Sequence, residues 1–225
     1  ASFAPISEPG EWNIQVFDQK KVVFRDSGLK VGKEVLWNST IEWSSVDMLE
    51  RRKHFTGVGV GWQDAGTKWV ESPAQSAMII ALEELLEQVP DRFDKNFTDR
   101  IHTQITVGCD YLVKTQGKAY ELGFPKGAMS HDIIGHEKDI LPHDAMKAVV
   151  ALAKAVLLLP DSFKEKKDAY KETAELAFNW LLTTAKPMGD FGMSKFQRGL
   201  SDDIVFPKGE YPTRDLLVMC RAALE

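Results

Sequence analysis

Pro142–Leu159 reads PHDAMKAVVALAKAVLLL, and the fold follows from it. Proline opens the stretch, at a position where a helix leaves its first amide hydrogens unbonded anyway. From Met146 to Leu159 the side chains are apolar nearly all round, which predicts a helix enclosed by other elements. Lys154 interrupts the run, and the stretch is too short to cross a bilayer. Such a helix needs amphipathic neighbours, and the chain offers them on both sides.

Upstream, Ser72-Pro73-Ala74-Gln75 combines a predicted N-cap, a proline at the first helical position and a capping-box glutamine. Met78, Ile79, Leu82, Leu85 and Leu86 carry this helix to a stop at Pro90. A second predicted helix, Asn96 to Gln116, aligns Ile101, Ile105, Cys109, Leu112 and Val113, with Gly117 as its stop. Downstream, Ser162 to Glu165 forms another capping box. The helix behind it gathers Ala169, Tyr170, Thr173, Ala174, Ala177, Phe178 and Leu181 on one face and lysines and glutamates on the other, so it is expected outside. A last helix of buried type begins at Pro212 and runs through Leu216, Leu217, Val218, Met219, Cys220, Ala222 and Leu224. It stops without glycine, cap or polar tail, the pattern expected of a truncated or cleaved polypeptide.

Long loops separate these helices, about 24 residues after Gly117 and another from Lys186 to Gly209. Enclosed and amphipathic helices alternate across them. The expectation is an all-α fold, a partial (α/α)6 toroid of inner helices ringed by outer ones; an up-down bundle prefers shorter connections. Residues 57–225 form this domain. Residues 1–56 form an N-terminal segment with a predicted β-hairpin, Trp12–Phe17 and Lys21–Phe24 around Asp18-Gln19-Lys20. After Asp26-Ser27-Gly28 that segment is expected to be mostly irregular, with a short helix from Ser45 to His54.

The 225 residues suffice for one substantial core. A net charge of −5 without a long basic run gives no electrostatic reason to expect nucleic acid or anionic membrane as partner. Cys109 and Cys220 lie in apolar helical patterns and are expected to act as small buried hydrophobes. Two sequons, Asn38-Ser39-Thr40 and Asn96-Phe97-Thr98, together with a start that suits a cleaved mature terminus, favour a secreted protein. Gly57-Val58-Gly59-Val60-Gly61 lacks dinucleotide-fingerprint spacing and reads as a flexible approach loop.

Chemistry concentrates where that loop ends. Gly61-Trp62-Gln63-Asp64-Ala65-Gly66 sets a carboxylate among small residues, beside a large ring and ahead of a helix start. Trp62 and Trp69 are candidates to stack on sugar faces, or to pack the fold. Asp64 is a candidate catalytic carboxylate, or a turn-forming residue before glycine. The loop His131-Asp132-Ile133-Ile134-Gly135-His136-Glu137-Lys138-Asp139, with His143 beyond it, carries zinc-ligand types at no firm zinc spacing. His131 and His136 are therefore candidates to hydrogen-bond a sugar, and neither a metal nor a cofactor is expected. No Gly-x-Ser-x-Gly elbow or phosphate loop is present.

The Gly-Trp-x-Asp-Ala-Gly segment resembles that of glycoside hydrolase family 9, the inverting endoglucanases and their relatives. Cys109–Gln116 looks like the family's helix ending in a Tyr-Leu-x-Lys-x-Gln-type pattern. Asp144–Val156 is similar to its alanine-rich helix, and Lys208–Asp215 with the helix behind it sits where the family carries a late Gly-Glu/Asn segment. The resemblance implies inverting hydrolysis of β-1,4-glucan or a related polysaccharide. One carboxylate activates water, and another carboxyl about 6.5–9.5 Å away protonates the leaving oxygen. Asp64 matches the family's first motif aspartate, and Thr67 stands where a second is usual. Either Asp64 serves as base, or a deletion before Trp69 shifts the alignment, or the site is weak. The family's general acid is a glutamate beyond residue 225, so a second chain completing the barrel is an expected partner alongside the polysaccharide. The competing expectation is a non-catalytic carbohydrate-binding or structural helical protein on the same scaffold.

Overall fold

The computed structural model describes residues 6–53, 57–64, 69–187 and 209–225. They are mostly helical, with one small antiparallel sheet, and they divide into two compact units between Asp47 and Met48.

The first unit contains the predicted hairpin, longer than its apolar runs. Strand β1 spans Gly10–Asp18 and β2 spans Lys21–Val31, with Asp18 opposite Lys21 across the turn and Gln19 at φ 52°. β2 therefore extends past Asp26-Ser27-Gly28, which was expected to be irregular. The register shift between Trp12 and Asn13 is a bulge opposite Gly28 that lets the pairing continue through this polar stretch, and a second shift between Val16 and Phe17 lies nearer the turn, opposite Val23. Phe17, Val23 and Phe24 stand exposed. Helix α1, Val35–Glu42, and a π-helical turn, Trp43–Asp47, complete the unit.

The second unit opens with α2, Met48–Lys53, so the helix expected at Ser45–His54 divides between the two units. Its main helices are α3 (Ser72–Gln88), α4 (Lys95–Glu121), α5 (Pro142–Leu158), α6 (Lys164–Thr183) and α7 (Thr213–Leu224). As its composition predicts, α5 is enclosed, and α3, α4, α6 and α7 all pack against it. α3 and α7 flank α5, while α4 lies against α3 and α6, so the helices form two rows of one layered core. Ile79, Leu82, Ile101, Ile105, Leu112, Met146 and Leu152 are buried there. Each such side chain contributes about 1.5–3 kcal/mol of apolar transfer.

Three terminal signals were spent differently from the expectation. Neither capping box forms. The N-cap of α3 is Glu71, and the serine and glutamine reach other segments. Asp161–Phe163 makes a 3-10 turn, and α6 starts at Lys164 without a side-chain cap. α4 passes straight through Gly117 for another turn, which buries Ala119. It stops at Leu122, where the left-handed Gly123 (φ 85°) and the bond from Phe124 N to Ala119 O close the helix.

The last helix departs furthest. α7 carries a buried-type sequence, yet only Asp215 and Ala222 are enclosed, and Leu216, Leu217, Leu224 and Cys220 are exposed. Its packing is against α5, on one side. Of the two cysteines, only Cys109 is the expected buried hydrophobe.

α3 carries an unusual core residue, Glu83, which is fully enclosed. Neither of its carboxyl oxygens has a hydrogen-bond partner among the described residues. Burial pushes this carboxyl up to about 10, with the charges of Glu225 and Glu87 adding to the effect and Lys154 and Arg221 opposing it. Lys154 is itself enclosed and turns to Glu84 (3.2 Å) and Glu87 (2.5 Å), and Arg221 also turns to Glu84 (2.5 Å).

Candidate functional site

The Gly61–Asp64 segment is fastened to α3 and α4 by the residues that precede and follow it. Gly61 adopts φ 78°, and a Cβ there would lie 2.9 Å from the Tyr111 ring. Only glycine lets the backbone approach α4 closely enough for Gly61 N to donate to Val107 O at 3.0 Å. Trp62 then drops onto the bare surface of α4 at Gly108, where an added Cβ would meet the indole at 2.6 Å. Gln75 clasps the Trp62 backbone from both sides, its Oε1 accepting from Trp62 N and its Nε2 donating to Trp62 O, each at 2.8 Å. The indole Nε1 donates to Gln104 Oε1 at 2.9 Å.

These contacts settle where Trp62 stands. It is 1% exposed, so its ring offers no open face to a sugar and serves as the anchor of the segment. Trp69 is 45% exposed and meets the edge of His136 at 5.6 Å. Asp64 is half-buried between them in sequence, and its backbone N donates to Trp69 O at 2.9 Å, which draws Asp64 and Trp69 together. Thr67 lies outside the described residues.

The 130–140 loop comes back to the same place. Ser130 and Ile140 form an antiparallel bridge, and His131 N donates to Asp139 O at 2.8 Å. Asp132 Oδ1 accepts from the backbone N of Ile134 and His136, at 2.8 and 2.9 Å, so the buried aspartate shapes the turn. Ser72 ties the start of α3 to this loop: its N donates to His131 O at 2.7 Å and its Oγ to Ser130 O at 2.8 Å. The two polar residues read as a helix cap thus join the loop, the Trp62 segment and α3 into one body.

His131 occupies the centre of the resulting cluster. Its Nδ1 donates to Asp144 Oδ2 at 2.6 Å, and its Nε2 lies 3.7 Å from Glu71 Oε1. The imidazole and Asp144 side chains are 4% and 3% exposed, and Glu71 is 20% exposed, so the array runs from the interior toward solvent. Burial alone would strip the proton from His131. The bond to Asp144 and the charges of Asp144, Glu71 and Asp132 outweigh it and raise the pKa above the ordinary imidazole value. Glu71 is also raised: burial is the main cause, the Asp64 and Asp144 charges add to it, and His131 opposes it.

His136 belongs to the rim, with Nδ1 3.0 Å from Asp139 Oδ2. Among the described residues no three histidine, cysteine or acidic side chains converge as a metal-holding group. His143, which sequence grouped with this loop, pairs instead with the buried Asp215 of α7 at 2.9 Å.

The N-terminal ends of α3, α5 and α7 are therefore linked in series: Ser72 to His131, His131 to Asp144, His143 to Asp215. Asp144 and Asp215 each sit in a helix first turn, where the helix dipole favours a carboxylate. Of the residues singled out by sequence, the structure brings Asp64, Trp69, His131 and His136 to this end and withdraws Trp62 into the core. Glu71 and Asp144 were missed, because nothing in their local sequence distinguishes them from a helix-start acid. What marks them is their convergence on His131. No protein-family model, curated protein or solved structure matches this chain.

Proposed function

We propose that this protein is a glycoside hydrolase-like polypeptide acting on β-1,4-glucan or a related polysaccharide by inverting hydrolysis, with Asp64 directing the water. The observation that carries the reading is the backbone bond from Asp64 N to Trp69 O, which ties the half-buried aspartate to the residue that carries an exposed indole. An exposed aromatic ring offers a sugar a stacking surface, and a carboxylate on a residue joined to it is the group type that activates water at an anomeric centre. The scaffold proposed is a partial α/α toroid, with α3, α5 and α7 as the inner row and α4 and α6 as the outer one. Support comes from the pairing of α3 with α5, α5 with α7 and α4 with α6, and from the acidic residues gathered at the N-terminal ends of the inner row. The exposed leucines of α7 are the surface a second chain completing the ring would cover.

A non-catalytic carbohydrate-binding protein is the second reading. It draws on Thr67 standing where the resembled family carries its other aspartate, and on a Trp69–His136 rim that holds a sugar without any chemistry. Reducing-end release from cello-oligosaccharides, measured beside calorimetric binding, separates the two. In the hydrolase, Asp64→Ala loses turnover and keeps binding. Wild-type protein that binds and releases nothing refutes hydrolysis in favour of the second reading, and absence of binding refutes both.

A further inference from the structure

We propose that α7 is the seam of a symmetric dimer, its outward face packing antiparallel against the same face of a second copy of this chain. The inference does not depend on the hydrolase reading; it names the occupant of the α7 surface left open among the described residues. At about 100° per residue, α7 presents two faces. Asp215 and Ala222 lie on the inner one, Asp215 paired with His143 of α5 and Ala222 set beside Val149 and Ala153 of the same helix. On the other side Leu216, Leu217, Cys220 and Leu224 return every three or four residues. Leu217 is 66% and Leu224 87% exposed, and no charge falls within this stripe. A helix whose outer side met only water would carry polar side chains there.

The charges say what covers it. They border one flank of the stripe, with Arg214 in the first turn, Arg221 midway and Glu225 at the end. Arg214 uses Nε and Nη2 on Asp215, at 3.1 and 3.0 Å, which leaves Nη1 for a second carboxylate. Two copies laid side by side in opposite directions bring Arg214 of each toward Glu225 of the other, twice over by the two-fold symmetry. Parallel pairing would instead set arginine against arginine and glutamate against glutamate.

The antiparallel register has a consequence at the middle of the seam. Its two-fold axis passes between Met219 and Cys220, so Leu216 and Leu217 of one copy lie beside Ala223 and Leu224 of the other. The two Cys220 Cα atoms then differ by about 1.5 Å in height, and helix axes about 8–10 Å apart let their thiols meet. Cys220 is exposed, whereas Cys109 is enclosed in α4 and takes no part. One helix face is small beside a standard interface of about 800 Å² per partner, so the association is reversible.

The test reads mass and cross-linking of the full chain. Under reducing conditions, light scattering across the micromolar range is expected to rise from 25.3 kDa toward twice that value. Copper(II)–phenanthroline then takes two electrons from the paired Cys220 thiols, which release two protons and form one disulfide. A covalent dimer is expected in the wild type and none in Cys220→Ser. Leu217→Lys, at an exposed position, is expected to weaken association by about tenfold or more with unchanged circular dichroism, and Leu224→Lys takes its place if that variant does not fold. Leu224→Cys in the Cys220→Ser background reads the direction. Its thiols stand about 13.5 Å apart in height in the antiparallel arrangement, beyond disulfide reach, and level in a parallel one. A cross-link there overturns the arrangement. A monomer at every concentration without a cross-link, or a dimer that both lysine variants leave intact, overturns the proposal and leaves the α7 face to a different chain.

Discussion

Exchanging Glu83 for glutamine will stabilise the protein at neutral pH by about 3.5 kcal/mol, with a pH signature that no packing change reproduces. Glu83 is fully enclosed and unpartnered among the described residues, and its carboxyl is pushed from the ordinary 4.5 up to about 10. Because the folded-state pKa is raised, the stability linked to this proton is whole below pH 4.5 and is lost progressively as pH rises toward 10. At pH 7 the unfolded chain has released the proton and the folded one has kept it. That is about two and a half pH units at roughly 1.4 kcal/mol each. Glutamine has nearly the same shape and buries a comparable polar group, so desolvation and packing nearly cancel and the proton remains as the difference. Urea unfolding of both proteins at pH 4.5, 5.5, 7 and 8.5 checks it. The two stabilities are expected to approach one another at the acid end and to separate by about 1.4 kcal/mol per unit above it. Parallel curves, or a less stable variant at pH 7, would refute the claim that Glu83 is held protonated in the core.

Asp144→Asn is expected to let burial dominate at His131, so that its imidazole titrates below its ordinary value instead of above it. NMR of the ring protons across pH 5–9 reads this directly, and an unmoved titration would sever the link between the two residues. In the wild type the same raised pKa means that the stabilisation from the pair is complete below about 6.5 and fades as pH rises through the folded value. Gly108→Ala sets helix propensity against fit. Alanine alone would stabilise an exposed helix by about 1 kcal/mol, but here its Cβ meets Ile79 and Trp62 at 2.6 Å. Overpacking should win with a net loss of about 1–3 kcal/mol, seen as a lower denaturant midpoint. A gain in stability would show that Trp62 moves aside freely.

The helical character of the chain was legible wherever burial and period agree. Pro142–Leu158 is enclosed over most of its surface because its composition leaves it little polar face, with Leu157 the exposed exception, and α3, α4 and α6 follow their apolar stripes. Helix ends were less legible, since one side chain has several uses. Ser72 and Gln75 have the chemistry of a capping box, but the 130–140 loop and Trp62 offer them buried partners farther along the chain. Gly117 fails as a stop because the next turn gains the burial of Ala119. α7 reads as buried from composition alone, and composition does not say which neighbour covers each face. The candidate site was legible through its aromatic and histidine residues. Glu71 and Asp144 were not, because they meet His131 only after the loop between α4 and α5 turns back on itself.

The position of α5 also governs when the molecule acquires a core during synthesis. Every other main helix of the second unit rests on it, yet it begins at residue 142. Until it leaves the ribosome, the hairpin of α3 and α4 exists with α3, which carries Ile79 and Leu82, lacking a principal packing partner. A nascent chain in that condition displays apolar surface for several seconds at ordinary elongation rates, the interval in which holding chaperones act and in which stalled chains aggregate. Folding is therefore gated by the arrival of one segment, and codons that slow translation just before it would prolong the most vulnerable stage of the protein's life.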